Sequence, residues 1–398
     1  MSGGPLVSIV VPTRDRPDFL RWCLTAAAAQ TDPDYEVIVC DNALSAPVSD
    51  VVGAVDDARF RYLPPPERPL SMSDNWERAV AAARGQYVAV TSDKMALDAN
   101  AVATVRSASS LDAEVLSWSN SAYWPINESR DLGPGYFLAG RPSGPAEYSL
   151  QAALERRLSF SVRRDRQGVD YFRGKIVFGA YRRDLLERIR DRAGRVFQEL
   201  TPDYTSLAAA AVVGDRGFDV GRPLVISFES TVSNGKRVVG DFRHAQAFLH
   251  ESDPSGQIIH ELPIPGLFAS VHNLVAYDMV AATHGAGSDL GERALNQSNL
   301  ADRAAEDLRL LGWRGAEARR ERARQIDLLS RWRTEHSIPP GGPSLRLQVR
   351  ERTRRAVPAT GRLRHLAYVA RGRTLRRFDS IAQAAAADRP KTIESYTR

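Results

Sequence analysis

The feature that most constrains this chain is an alternation within its first 110 residues. Four short, mostly apolar runs occur there, and helical patterns stand between them. Leu6 to Val11 (LVSIVV) is β-branched and closed by Pro12; Tyr35 to Cys40 (YEVIVC) runs straight into Asp41-Asn42. Phe60 to Leu63 is a third run, closed by Pro64 to Pro66, and Gln86 to Thr91 (QYVAVT) a fourth, delivering Ser92-Asp93-Lys94. Runs of this length and composition read as strands buried on both faces. Asp18 to Gln30 is a helix candidate with Phe19, Trp22 and Cys23 on its apolar face. Asn75 to Arg84 is another, with Ser73 or Asp74 as its cap and Gly85 at its end. Strand and helix in alternation predict a parallel α/β sheet flanked by helices, with the ligand site at the carboxyl ends of the strands.

The residues at those ends are the ones that carry chemistry. Thr13-Arg14 follows the first strand, Asp41 ends the second and Asp93 the fourth. Each alone is an ordinary turn or cap residue. Together, on separate parallel strands, they converge on one sheet edge and favour a site.

Further along, Leu111 to Trp124 offers a strand, followed by a Gly/Pro-rich loop from Gly133 to Pro145. Lys175 to Tyr181 is strand-like and Arg183 to Arg190 helical. Phe197 to Val213 holds a Thr-Pro-Asp-Tyr turn and an alanine-rich helix, and Pro223 to Phe228 is the last clear strand. Arg293 to Arg333 reads as helical, and Pro339 to Pro343 breaks the chain. The GxxxxGK[ST] loop, a GxGxxG after a strand and the GxSxG elbow are all missing, which argues against P-loop, dinucleotide and α/β-hydrolase enzymes. The seven histidines include no HExxH and no pair at metal spacing.

The three strand ends in order, VSIVVPTRDRPDFLRWCL, EVIVCDN and GQYVAVTSD, resemble the opening of a family 2 glycosyltransferase of the GT-A type. The resemblance is closest over roughly the first 110 residues and weaker to about residue 235. It implies a GT-A-like, Rossmann-type, mostly parallel sheet flanked by helices. On that basis residues 1–240 form the catalytic domain, with a nucleotide-sugar half (1–110) and an acceptor half (111–240). Residues 241–340 are then a helical extension and 341–398 a basic tail.

By the same resemblance the activity is inverting transfer of a sugar from a nucleotide-diphosphate donor to a hydroxyl acceptor. The acceptor could be a polysaccharide, a lipid-linked sugar or a secondary metabolite. Asp41 is implied as the nucleobase ligand, which favours UDP or TDP, because a carboxylate accepts the imide N–H of uracil or thymine. Pro12, Thr13 and Arg14 would line the nucleoside pocket, with Asn75 on the donor side. Inversion needs a base, and the matching stretch FQELTPDYTSLAAA gives Asp203, with Glu199 as runner-up.

Two departures stand out. Relatives carry three consecutive acids where this chain has Asp93, Lys94 and Met95, so only Asp93 is left to hold Mg²⁺ or Mn²⁺. A hard cation wants oxygen ligands, which neither ammonium nor thioether supplies. Lys94 can instead place its own charge against the departing diphosphate, and metal-independent action is favoured. The other departure is Asp74, standing where many relatives have a phosphate-binding arginine, so such an arginine must come from elsewhere. A catalytically silent nucleotide-sugar-binding or scaffolding protein is the competing class.

The composition, 43% apolar and 26% charged, is that of a soluble globular protein. Two cysteines, Cys23 and Cys40, both in apolar stretches, suit a cytoplasmic setting. No signal peptide or membrane span is expected. The net charge of +6 is uneven: residues 341–398 hold 14 Lys/Arg against four Asp/Glu, leaving the rest mildly acidic. Leu345 to Phe378, with apolar residues among its arginines, can lie on an anionic membrane surface, pack on the catalytic domain or join two copies. No nucleic-acid partner is expected, since no recognition motif accompanies the charge.

Overall fold

The first apolar run forms β1 (Val7–Thr13) and the second β2 (Tyr35–Asp41), both buried at every position. They pair in parallel from Val7 opposite Tyr35 to Thr13 opposite Asp41, so the two strands end level. β3 (Phe60–Leu63) extends the parallel set on the β2 side, and β4 (Tyr87–Val90) on the β1 side. These are the strands that the alternation predicts. A computed structural model supplies this architecture and describes residues 3–125, 133–162, 168–229, 234–339 and 376–387.

Helices α1 (Pro17–Ala28), α2 (Ser49–Gly53) and α3 (Met72–Ala81) join these strands. α3 starts three residues earlier than its sequence pattern suggests. Its cap is Ser71, whose hydroxyl accepts from the Asp74 amide at 3.1 Å, while the Asp74 carboxylate accepts from that hydroxyl at 2.9 Å. Neither Ser73 nor Asp74 is the cap, because the free amide of the first turn is met by the Ser71 hydroxyl, from which Asp74 in turn accepts.

Beyond β4 the sheet becomes mixed. β5 (Met95–Leu97) leads into α4 (Ala101–Ser109) and β6 (Val115–Pro125). β7 (Gly135–Leu138), inside the expected Gly/Pro-rich loop, pairs antiparallel with β6. β8 (Ala146–Ser149) and α5 (Leu150–Leu158) follow, then β9 (Gly179–Arg182), which lies antiparallel between β4 and β6. After α6 (Arg183–Ala193) and α7 (Pro202–Val213), β10 (Arg216–Phe228) runs parallel to β6 and antiparallel to β5 and β8. β10 begins well before Pro223, where its register against β6 shifts. Gly221 makes the shift feasible, with φ at 73° and Gly144 so close that a Cβ would lie 2.1 Å from its carbonyl carbon.

A helical layer follows: α8 (Asn234–Gly240), α9 (Phe242–Ser252), α10 (Ile258–Glu261), α11 (Val271–Gly285), α12 (Leu290–Ala294), α13 (Gln297–Leu310) and α14 (Ala316–Glu335). Its apolar residues, among them Leu274, Met279 and Leu300, share one buried cluster with the sheet. α11 packs on α7.

The last described segment returns to the sheet. β11 (Arg376–Phe378) adds antiparallel to β7, and α15 (Ile381–Ala387) buries Ile381 and Ala384 among Phe19, Tyr123, Phe137 and Phe228. This part of the basic tail therefore packs on the α/β body, whereas residues 345–375 of the expected amphipathic stretch lie outside the described residues.

Candidate active site

The chain leaves β1 through Thr13-Arg14-Asp15-Arg16. Asp15 adopts a left-handed conformation, φ 54°, which aspartate tolerates better than most residues. Its Oδ1 accepts from the amides of Leu44 and Ser45, both at 3.0 Å, and from the Ser45 hydroxyl at 2.7 Å. The loop after β1 is thus tied to the loop after β2. Arg14 turns away to an ion pair with Glu251 of α9 at 2.5 Å. Arg16 turns towards Asp93.

Asp93 is 1% exposed and sits in a tight turn in which the Met95 amide donates to the Ser92 carbonyl at 2.8 Å. Thr13 Oγ1 donates to its Oδ2 at 3.0 Å, and Arg16 Nη1 to its Oδ1 at 3.0 Å. Lys94 follows, fixed by the Phe228 amide donating to its carbonyl at 2.9 Å. Burial, and then the nearby Arg16, pull its ammonium down to about 8. Lys236 of α8 lies close by in an ion pair with Glu229 at 2.8 Å.

At the end of β2, Asp41 is fully buried. Its Oδ2 accepts from the Val48 amide at 2.9 Å and the Tyr62 hydroxyl at 2.8 Å, while Oδ1 has no hydrogen-bond partner among the described residues. Burial and the bond to Asp41 push the Tyr62 hydroxyl well above its ordinary range. Pro12 is a buried β1 residue opposite Cys40. Asn75 is turned to Cys40, accepting from its thiol at 3.3 Å and donating to its carbonyl at 3.4 Å. It anchors the end of β2 and does not join the polar groups around Asp93. Arg78, one turn on, donates to the Asp41 carbonyl at 3.1 Å.

The base candidates lie on either side of the α7 start. The Glu199 side chain pairs with Arg195, which also reaches Asp74 at 3.0 Å, and Ser73 Oγ donates to the Glu199 carbonyl at 3.1 Å. Burial raises the Glu199 carboxyl. Asp203 falls in the first turn of α7, whose N-cap is Thr201, so it is not the cap. It is partly exposed, 3.8 Å from the fully buried Lys175 ammonium, which lies against the rings of Tyr204 at 3.4 Å and Tyr171 at 3.7 Å.

Between the two acids, Asp278 of α11 accepts from the amides of Leu200 at 2.9 Å and Thr201 at 2.5 Å, and from the Thr201 hydroxyl at 2.9 Å. Burial pushes its carboxyl up to about 7.

Thr13, Asp93 and Lys94 are thus gathered with Arg16, and Asp41 stands level with Thr13 on the neighbouring strand. Arg14, Asn75, Glu199 and Asp203 each have other partners. Arg16, Tyr62, Lys175 and Asp278 escaped the sequence reading. Arg16 alone carried a signal, being in the same strand-end loop as Thr13. Among the described residues no group of three His, Cys, Asp or Glu side chains is placed to hold a metal ion. With Asp93 engaged by a guanidinium and followed by Lys94 and Met95, the donor set does not fit a divalent cation. No described helix is long and apolar enough to cross a membrane.

Residues 8–95 match the family described as Glycosyl transferase family 2, the segment that supplies Thr13, Arg16, Asp41 and Asp93. An uncharacterized protein, y4gI, of Sinorhizobium fredii is 37% identical over 97 residues, 23% of this chain, which span 11% of that protein. Among solved structures, S. aureus TarS 1-349 aligns at 13% identity and TM-score 0.44, over 83% of this chain and 91% of that one. The mannosyltransferase PcManGT from Pyrobaculum calidifontis, in complex with GDP-Man and Mn2+, aligns at 16% identity and TM-score 0.39, over 82% and 86%.

Proposed function

With residues 8–95 placed in glycosyl transferase family 2, we propose that this chain is an inverting glycosyltransferase using a UDP- or TDP-sugar and a hydroxyl acceptor. The observation that carries the reading is Asp41. Its Oδ2 is held by Val48 and Tyr62, and its buried Oδ1 has no partner among the described residues, at the strand end where a nucleobase would dock. The imide N–H of uracil or thymine supplies the missing donor. The acceptor is a polysaccharide, a lipid-linked sugar or a secondary metabolite. Both cysteines are free, buried thiols, in keeping with a cytoplasmic setting.

In the transfer itself the acceptor oxygen attacks the anomeric carbon of the donor sugar. The bond from that carbon to the diphosphate oxygen breaks and its electron pair leaves with the nucleoside diphosphate. The acceptor proton goes to a carboxylate, for which Asp203 is preferred. The two carboxylates are about equally exposed, but Glu199 is held in a close ion pair by Arg195, whereas the nearest cation to Asp203, Lys175, stands 3.8 Å away. The poor fit of Asp93, Lys94 and Met95 to a divalent ion supports reduced metal dependence.

Turnover of a nucleotide-sugar panel, with UDP, TDP and GDP binding by calorimetry, tests the proposal. Asp203→Asn is expected to abolish transfer and keep nucleotide affinity. Undiminished turnover in that variant would move the role to Glu199 or to another group. Binding without turnover in the wild type would make the chain a silent binding protein.

A further inference from the structure

A metal-ligating Asp93 would need an oxygen turned to the ion and further oxygen ligands beside it, with no cation already in that place. Both of its oxygens are engaged instead. Thr13 Oγ1 donates to Oδ2 at 3.0 Å, and Arg16 Nη1 lies 3.0 Å from Oδ1 and 3.4 Å from Oδ2. A guanidinium already stands where a cation would go. Arg16 uses Nη1 alone, and its Nε and Nη2 make no hydrogen bond among the described residues.

Lys94 adds a second charge. Its backbone is pinned from two sides, by the turn that Ser92 and Met95 close and by the Phe228 amide at 2.9 Å. Its ammonium, only partly exposed, has no hydrogen bond or ion pair among the described residues. The neighbouring charges do not neutralise it: Asp93 is matched by Arg16, and Glu229 by Lys236. A half-buried ammonium beside a guanidinium is costly until an anion joins them.

We infer that Arg16 and Lys94 form a metal-free cradle for the donor diphosphate, in which Asp93 is a positioning residue for Arg16 and not a metal ligand. The nucleoside part of this assignment rests on the transferase reading, while the anion site stands on its own geometry. The spare Nε and Nη2 of Arg16 meet non-bridging phosphate oxygens in the forked manner suited to guanidinium. Lys94 supplies a point charge to the oxygen that receives the electron pair as the sugar departs.

The test uses the full chain in excess EDTA, titrated with inorganic pyrophosphate, UDP and uridine. Pyrophosphate and UDP are expected to bind the wild type without added metal. Arg16→Gln and Lys94→Gln should each weaken both by about tenfold or more and leave uridine unchanged, with Lys94→Arg restoring most of the loss. Circular dichroism and thermal unfolding of the variants establish that they fold. Binding of pyrophosphate and UDP only after Mn²⁺ or Mg²⁺ is restored overturns the inference, and so do glutamine variants that bind pyrophosphate like the wild type. If the cradle behaves as expected but no nucleotide sugar is turned over, the transferase reading falls and the anion site stands.

Discussion

At Asp41 two donors fix one carboxylate oxygen and leave the other open, and this predicts a base preference. Val48 N–H and Tyr62 O–H both point at Oδ2. In Asp41→Asn the side-chain carbonyl must stay with those donors, so the NH₂ takes the Oδ1 position. There it opposes the imide N–H of uracil, donor against donor, and suits the N3 acceptor of cytosine. We expect UDP affinity to fall about tenfold or more and CDP affinity to rise relative to it, read by calorimetric titration of both. An unchanged UDP/CDP ratio would remove Asp41 from base recognition. Asp41 was legible in the sequence because it ends a buried strand. The orientation of its oxygens was not, since Tyr62 reaches it from another strand and Val48 from the following loop.

Helix α7 shows how a distant element sets a site. Its N-cap, Thr201, makes no side-chain capping bond and instead donates its hydroxyl to Asp278 on α11. One buried carboxylate therefore holds the two amides and the hydroxyl that separate Glu199 from Asp203. Its folded-state carboxyl lies at about 7 against 3.8 for the unperturbed group, so the native state holds a proton that the unfolded chain has released between those values. Its contribution to stability is full below about 4 and is lost as pH rises through about 7. Asp278→Asn keeps an acceptor for the three donors and removes the titration. The stability of this variant relative to wild type should therefore rise from pH 5 to pH 8, followed by urea unfolding. A constant difference would show that Asp278 does not titrate in that window. By contrast, Asp278→Ala leaves buried donors unpaired, at about 1–3 kcal/mol each, and should also lower turnover by loosening the α7 start.

On the scale of the whole molecule, the basic C-terminal region is tied to the sheet at its far end. β11 pairs with β7, Phe378 meets Phe137 edge-to-face at 5.9 Å, and Ile381 is 1% exposed. Truncation after Pro340 removes these contacts and bares Phe137. Burial of one such side chain stabilises by roughly 1.5–3 kcal/mol, so a fall in Tm of about a few degrees is expected, measured by calorimetry. An unaltered Tm would mean that the docked segment adds nothing. The same truncation tests, in a liposome-pelleting assay with anionic lipid, the expectation that the basic tail can lie on a membrane surface. Equal pelleting of both forms removes that role, and the oligomeric state of the two forms decides self-association.

The sequence alone determined the parallel strands β1 to β4 and the polar residues at their ends. β1, β2 and β4 were readable because each is buried on both faces, and the half-buried β3 because Pro64 to Pro66 close it; Thr13, Asp41 and Asp93 followed from where the buried strands end. β7 and β8 were hidden among glycines and prolines, since their pairing with β6 and β10 outweighs weak local propensity. Which charges meet was decided by tertiary structure alone. Arg14 and Arg16 are two residues apart in one loop, yet the left-handed Asp15 between them accompanies a split in direction, Arg14 to Glu251 and Arg16 to Asp93. Hydrogen bonds across 77 residues, as from Arg16 to Asp93, or 78, as from Leu200 to Asp278, have no local signature. They exist because the fold brings strand ends and packed helices to one place, and there the only acid of the Asp93-Lys94-Met95 motif acquires its guanidinium partner.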